Sequence, residues 1–195
     1  MQLYQKIPFS AISYSEEDRI ELENIFKNRI PQGIGKVVRL SELNTNYCNR
    51  LLNALPIDNL AVLHYTTPNE IVGDKRLKCI HVDPRPVGLN IPIANCDENA
   101  YTIFYDENSV VPVFAGNTGE YSSVAYREQS TGAVEIDRFF LDMNSAVLLR
   151  TDVPHAKMQT KATNRMFLSV TPVCNFDDFI KLVAGEGFEP PSSRL

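Results

Sequence analysis

No run in this 195-residue chain approaches the roughly 18–20 apolar residues that a membrane-spanning helix needs. Its opening, MQLYQKIPFSAISYSEEDR, also lacks the basic-then-apolar layout of an export signal. Positive charge is not in excess: 19 Lys and Arg stand against 24 Asp and Glu, for a net charge of −5. That balance argues against general binding to a phosphate backbone, which needs a basic surface, and leaves room only for a local basic groove. Cysteine is sparse. Cys48, Cys79, Cys96 and Cys174 never approach CxxC spacing, which disfavours a structural zinc site. Without an export signal they read as free thiols in a reducing cytoplasm, and Cys79, inside an apolar run, as a small core residue. No GxSxG, internal repeat or low-complexity tract occurs. The expectation is a cytoplasmic protein with no membrane partner.

What is present is an ordinary globular composition, 44% hydrophobic and 22% charged, at a length that suits one domain with a substantial core. The first third reads helical. Ser15 followed by Glu16, Glu17 and Asp18 is an N-cap with an acidic first turn, and Ile20, Leu22, Ile25 and Phe26 mark a face that ends at Ile30-Pro31. Ser41 opens a second helix with Leu43, Tyr47 and Leu51 on one side, closed by Pro56.

From Leu60 the pattern changes to short β-type runs separated by turn residues. We read strands at 60–66, 77–82, 88–93, 100–106, 110–115, 121–127, 145–151 and 165–172. Pro92 and Pro112 confine their runs to edges or bulges. Eight such runs at this spacing predict a mainly β protein, a jelly roll behind an N-terminal helical layer. The predicted division is a single domain over 1–184: a helical layer about 1–58, a β core about 60–172 and a short closing helix about 175–183. GEGFEPPSSRL has no hydrophobic face and reads as a flexible tail over 185–195.

One of only three histidines stands in KCIHVDPRPVGLNIPI, two residues before an aspartate. In a strand, positions i and i+2 share a face, so His81 and Asp83 project together. Alone, the pair also fits a solvated surface ion pair. A mononuclear non-haem Fe(II) site wants two imidazoles and one carboxylate on one face. His155, in RTDVPHAKM just beyond the strand at 145–151, suits the distant second imidazole, although after Pro154 it also fits an ordinary turn. Ten residues later Arg165 opens RMFLSVTP, where alternation places Arg165, Phe167 and Ser169 on one face and Met166, Leu168 and Val170 on the other. A guanidinium there could fork onto a cosubstrate's distal carboxylate, or pair with a surface acid. His64, in LAVLHYT, has no carboxylate at that spacing and reads as a hydrogen-bonded structural histidine.

His81-x-Asp83, then His155, then Arg165 resembles the pattern of the iron(II)- and 2-oxoglutarate-dependent oxygenases. The segments HVDPRPVGLNIPIANC and VPHAKMQTKATNRMFLSV are most similar to small members from phages and marine bacteria, over about residues 60–172. The resemblance implies a double-stranded β-helix core behind N-terminal helices. It also implies His81, Asp83 and His155 as Fe(II) ligands, and Arg165 as the partner of the 2-oxoglutarate C5 carboxylate. A second polar cosubstrate contact is expected soon after the HxD pair; Asn95 is the choice, with Asn90 and Thr102 as competitors. The substrate, a small molecule or a peptide, is not readable. Two other readings stay open: a cupin-type metalloenzyme that does not use 2-oxoglutarate, and a non-catalytic jelly-roll module such as a virion component.

Overall fold

A computed structural model describes residues 1–8, 12–29, 35–66, 80–118, 121–160 and 164–184. Twelve strands form two six-stranded antiparallel sheets. In chain order they are β1 (Tyr4–Pro8), β2 (Lys36–Arg39), β3 (Ile57–Thr66), β4 (Ile80–Val82), β5 (Val87–Ala94), β6 (Ala100–Tyr105), β7 (Val110–Thr118), β8 (Tyr121–Glu128), β9 (Glu135–Phe140), β10 (Ser145–Arg150), β11 (His155–Gln159) and β12 (Arg165–Pro172). The first sheet runs β1-β10-β5-β12-β3-β2 and the second β7-β8-β4-β11-β6-β9. Successive strands β3, β4, β5 and β6 alternate between the sheets, and so do β10, β11 and β12. That interleaving makes the fold a double-stranded β-helix, or jelly roll.

The helices lie on one side. Helix α1 (Glu16–Arg29) opens with a capping box: the Ser15 hydroxyl accepts from the Asp18 N–H at 3.1 Å, and the Asp18 carboxylate accepts from the Ser15 N–H at 2.8 Å. Leu22 and Phe26 are buried, but Ile20 is 48% exposed, because it points away from the face those two share. The second predicted helix is two. Helix α2 (Leu40–Leu43) stops at Asn44, whose φ of 54° is left-handed, and Thr45 caps α3 (Asn46–Ala54) by accepting from the Cys48 N–H at 3.0 Å. Helix α4 (Phe176–Val183), capped by Asn175, closes the layer. Leu22, Phe26, Tyr47, Leu51, Phe176 and Phe179 cover the outer face of the first sheet, where Leu89, Ile91, Ile93, Met166, Leu168 and Val170 meet them.

Four strands escape the sequence reading. β1 and β2 are short runs taken from the helical third, and each forms an edge of the first sheet. β9 lies between the expected strands at 121–127 and 145–151 and forms an edge of the second. β11, HAKMQ, has no β-branched residue to mark it and is specified by pairing with β4 and β6. Pro92 sits beside a register shift in the interior strand β5, and Pro112 beside one in the edge strand β7, as their missing N–H groups require. Of the predicted strand at 77–82, residues 77–79 lie outside the described residues, as does the tail 185–195.

Candidate metal centre

Alternation on the second sheet separates two environments. Ile80, Ile103, Ala156 and Met158 pack together on its outer side. Their sequence neighbours His81, Phe104, His155 and Lys157 therefore point inward, toward the first sheet. His155 opens β11 directly opposite His81 of β4. The two imidazole centroids are 4.5 Å apart, with the rings inclined at 48°. Asp83 follows β4, in a loop pinned to the end of β10. Its N–H donates to the Thr151 carbonyl at 2.8 Å, the Thr151 N–H donates to Pro86 O at 3.0 Å, and the Thr151 hydroxyl donates to the Arg85 carbonyl.

These three side chains offer one ligand atom each, all within 4.8 Å of one another. His81 Nε2 lies 3.8 Å from Asp83 Oδ1, and those two side chains keep 27% and 24% exposure, so solvent reaches the cluster. Cis ligands of an octahedral ion stand roughly 3 Å apart for bonds of about 2.1 Å, so small side-chain adjustments would close the set onto one ion. The donor types fit Fe(II). His155 Nδ1 is 2.9 Å from the Val153 carbonyl, which can only accept; Nδ1 therefore carries the proton, and Nε2 presents a lone pair. Burial, with His81 beside it, pushes the His155 pKa down to about 3, so the ring is neutral near pH 7. Burial opposes ionisation of Asp83, but His155, His81 and Arg85 outweigh it and hold the carboxyl below its ordinary range. Both are in the protonation state a metal needs.

Arg165, 3% exposed, opens β12 with its Cζ 4.7 Å from the Phe167 ring centroid. Its Nε is buried without a hydrogen-bond partner among the described residues. Ser169, on the same face, accepts from Arg85 Nη2 at 3.0 Å; Thr171 Oγ1 takes Nη1 at 2.8 Å, and Arg85 Nε stands 3.8 Å from Asp83 Oδ2. Lys157 reaches across from the second sheet: Nζ is 3.2 Å from His64 Nδ1 and 5.0 Å from the Phe167 centroid. Burial pushes its pKa down to about 7, with Arg165 and Arg85 adding to the effect and Asp83 opposing it. His64 stacks on Phe167 at 4.3 Å, and burial, then Lys157, holds it well below the usual histidine range.

The structure thus brings His81, Asp83 and His155 together and turns Arg165 into the same interior. Asn95 is not gathered there. Its φ of 52° turns it out of the β5 alternation; it is exposed, and its amide donates to Asn164 O at 2.9 Å. The competitors both face inward and are buried: Asn90 is paired across from Ser169, and Thr102 across from Lys157. His64 is hydrogen-bonded as expected, though its partner is an interior lysine. Sequence reasoning missed Arg85 and Lys157. Each stands two residues beyond a candidate ligand, Asp83 and His155 respectively. For Lys157 the same alternation that linked His81 to Asp83 would have found it, had HAKMQ been recognised as a strand.

No family model matches this chain, and no curated protein does. Among solved structures, 14 chains match. One is the non-heme alpha-ketoglutarate-dependent epimerase SnoN from nogalamycin biosynthesis, at 11% identity and a TM-score of 0.44, covering 98% of this chain and 89% of that one. Another is E. coli YcfD, at 14% identity and a TM-score of 0.39, covering 85% of this chain and 43% of that one. The chemistry rests on the residues above.

Proposed function

We propose that this protein is an iron(II)- and 2-oxoglutarate-dependent oxygenase that hydroxylates a small molecule or a peptide. The observation that carries the reading is one interior shared by a His-Asp-His cluster and a buried arginine whose Nε has no partner among the described residues. Iron(II) would supply oxygen activation, and 2-oxoglutarate the two electrons released on its oxidative decarboxylation. His81, Asp83 and His155 would hold the ion by one atom each. Arg85 lies against the Asp83 carboxylate and orients it from the side of Ser169 and Thr171. Arg165 would grip the distal carboxylate, giving an acceptor to a buried guanidinium N–H that has none among the described residues. Phe104 and Phe167, both fully buried, form apolar walls beside these groups. No side chain is required as a nucleophile.

The test is a 2-oxoglutarate titration of the Fe(II) protein under anaerobic conditions, followed by calorimetry or the visible charge-transfer band. Arg165→Ala should weaken binding by about 30- to several-thousand-fold, the consequence of stranding a carboxylate in a poorly solvated site. Arg165→Lys, which keeps charge but loses the fork, should fall between. Iron binding should survive both changes. A wild-type protein that holds iron but ignores 2-oxoglutarate would leave the cupin-type metalloenzyme, and one that holds no metal would leave the non-catalytic module.

A further inference from the structure

Three apolar side chains on the inner face of the first sheet take no part in its core. Val62 of β3 is paired with Ser169 of β12, and Val37 of β2 is paired with Val62. Directly opposed residues of antiparallel strands share a face, so both valines turn toward the second sheet, as Ser169 does. Leu60, two residues before Val62, joins them. Their neighbours Val38, Ala61 and Leu63 face the other way and pack under the helices. Among the described residues, Val37, Leu60 and Val62 enter none of the hydrophobic clusters, and Val37 is 37% exposed.

The two sides of the interior differ accordingly. The β1–β9 side is filled: Tyr4 lies 4.8 Å from Phe139, and Phe104, Val147 and Leu149 pack with them. Counting strands inward from that contact puts β3 and β2 opposite β8 and β7. There β8 offers Ala125, paired with His81 and half-buried. A hollow of about 240 Å³, lined by Val37, Val38, Arg39, Glu42 and Leu60, continues the strip at the β2 edge.

The strip runs up to the metal cluster. Ser169, beside Val62, accepts from Arg85 Nη2 at 3.0 Å, and Arg85 Nε stands 3.8 Å from Asp83 Oδ2. At the far end, the Arg39 guanidinium is 3.4 Å from the Glu42 carboxylate, so that rim carries a balanced pair rather than a net charge. An apolar wall leading to a few convergent polar groups is the usual make-up of a small-molecule site.

We infer that Val37, Leu60 and Val62 are the platform for the substrate, an uncharged small molecule that lays an aliphatic or aromatic hydrocarbon group along this strip, beside Asp83. This rests on the oxygenase reading, which leaves the substrate open, and narrows it to apolar small molecules.

The probe is indole, with tryptamine and indole-3-acetate as its cationic and anionic counterparts. The protein is loaded with Mn(II) in place of Fe(II), saturated with 2-oxoglutarate and titrated with each probe by proton NMR. Mn(II)-enhanced relaxation of the probe then reports both its binding and its closeness to the ion. Wild type should bind indole about tenfold or more tightly than either charged counterpart, and the relaxation should vanish when Zn(II) replaces Mn(II). Val37→Asp, which sets a carboxylate on the exposed part of the strip, should weaken indole by about tenfold or more. Val62→Ala should weaken it by about 4- to 15-fold, as for one to two methylene groups lost from contact. Both variants should keep the wild-type Kd for Mn(II) and for 2-oxoglutarate within about threefold. Absence of indole binding, an unchanged indole Kd in both variants, tighter binding of a charged counterpart, or indole bound without Mn(II)-dependent relaxation would each overturn the platform. Wild-type protein that binds indole but not 2-oxoglutarate would overturn the oxygenase reading and leave the platform standing. Should Val37→Asp fail to fold, Val37→Thr, which adds a hydroxyl in nearly the same shape, is read by the same criteria.

Discussion

Strand β12 has two faces that differ in kind. Met166, Leu168 and Val170 are 0–1% exposed and packed under the helices against Leu22, Phe26, Tyr47 and Phe179. Arg165, Phe167 and Ser169 alternate with them and face the other sheet, where, among the described residues, the basic side chains of Arg85, Lys157 and Arg165 stand near the carboxylate of Asp83. The first face is complete as it stands: every group on it has neighbours of its own kind. The second is not: among the described residues a buried guanidinium N–H has no acceptor, and the Lys157 amine has only the ring of His64. One strand thus holds the fold with its even-numbered residues and the candidate chemistry with its odd-numbered ones. Local rules are broken where function is expected and kept where stability is needed.

The sharpest way to break this contrast is to cut into the helix-covered face. Leu168→Ala should cost about 2–5 kcal/mol in denaturant unfolding, the range for truncating a buried leucine, with one equivalent of iron still bound under native conditions. Stability unchanged, or iron lost from folded protein, would show that the two faces are not independent.

A smaller effect is expected at Arg85, which holds Asp83 from behind. Arg85→Ala should reduce Fe(II) affinity by about 10- to 100-fold while the ion remains detectable at saturating metal, as for other partners of ligating carboxylates. Equal affinity in competition with a chelator would remove Arg85 from the metal's support.

The interior cations should show the opposite sign in stability. Lys157→Met removes a buried amine whose charged form burial disfavours and which has no carboxylate ion pair among the described residues, so the metal-free protein should gain about 1 kcal/mol in the same unfolding measurement. A loss of that size would mean that the lysine contributes to the fold.

The smallest effect belongs to the capping box, far from the interior. Burial works against ionised Asp18, but Arg50 and the Ser15 bonds overcome it and hold the carboxyl below its ordinary range. A depressed folded pKa contributes stability above the unfolded value of about 3.9, and that contribution is lost as pH falls through the lower folded value. Asp18→Asn should therefore cost about 1 kcal/mol at pH 7, and the difference from wild type should shrink on acidification below roughly pH 4. A difference that persists in acid would assign the effect to packing.

The same contrast explains what could be read from sequence. Long alternating runs such as RMFLSVTP and SAVLLRT reveal both strand and face, so Arg165, Phe167 and Ser169 were placed correctly relative to one another. The capping pattern at Ser15 was equally legible, because it is local. β11 was not: HAKMQ has no β propensity of its own and is a strand only because β4 and β6 flank it, so Lys157 went unseen beside a histidine that was found. Asn95 failed for a different reason. One left-handed residue ends the alternation of β5, and no pattern in GLNIPIANC marks where that happens. The break between α2 and α3 is of the same type, set by Asn44 inside a run that reads as continuous helix.

The central claim is that His81, Asp83 and His155 form one metal centre while His64, despite lying in the same interior, does not contribute. Anaerobic Fe(II) titration with metal analysis of the desalted protein tests it directly. Wild type and His64→Ala should each retain close to one equivalent, and His81→Ala, Asp83→Ala and His155→Ala should retain almost none while giving wild-type circular dichroism. Iron kept by His155→Ala and lost by His64→Ala would contradict the assignment.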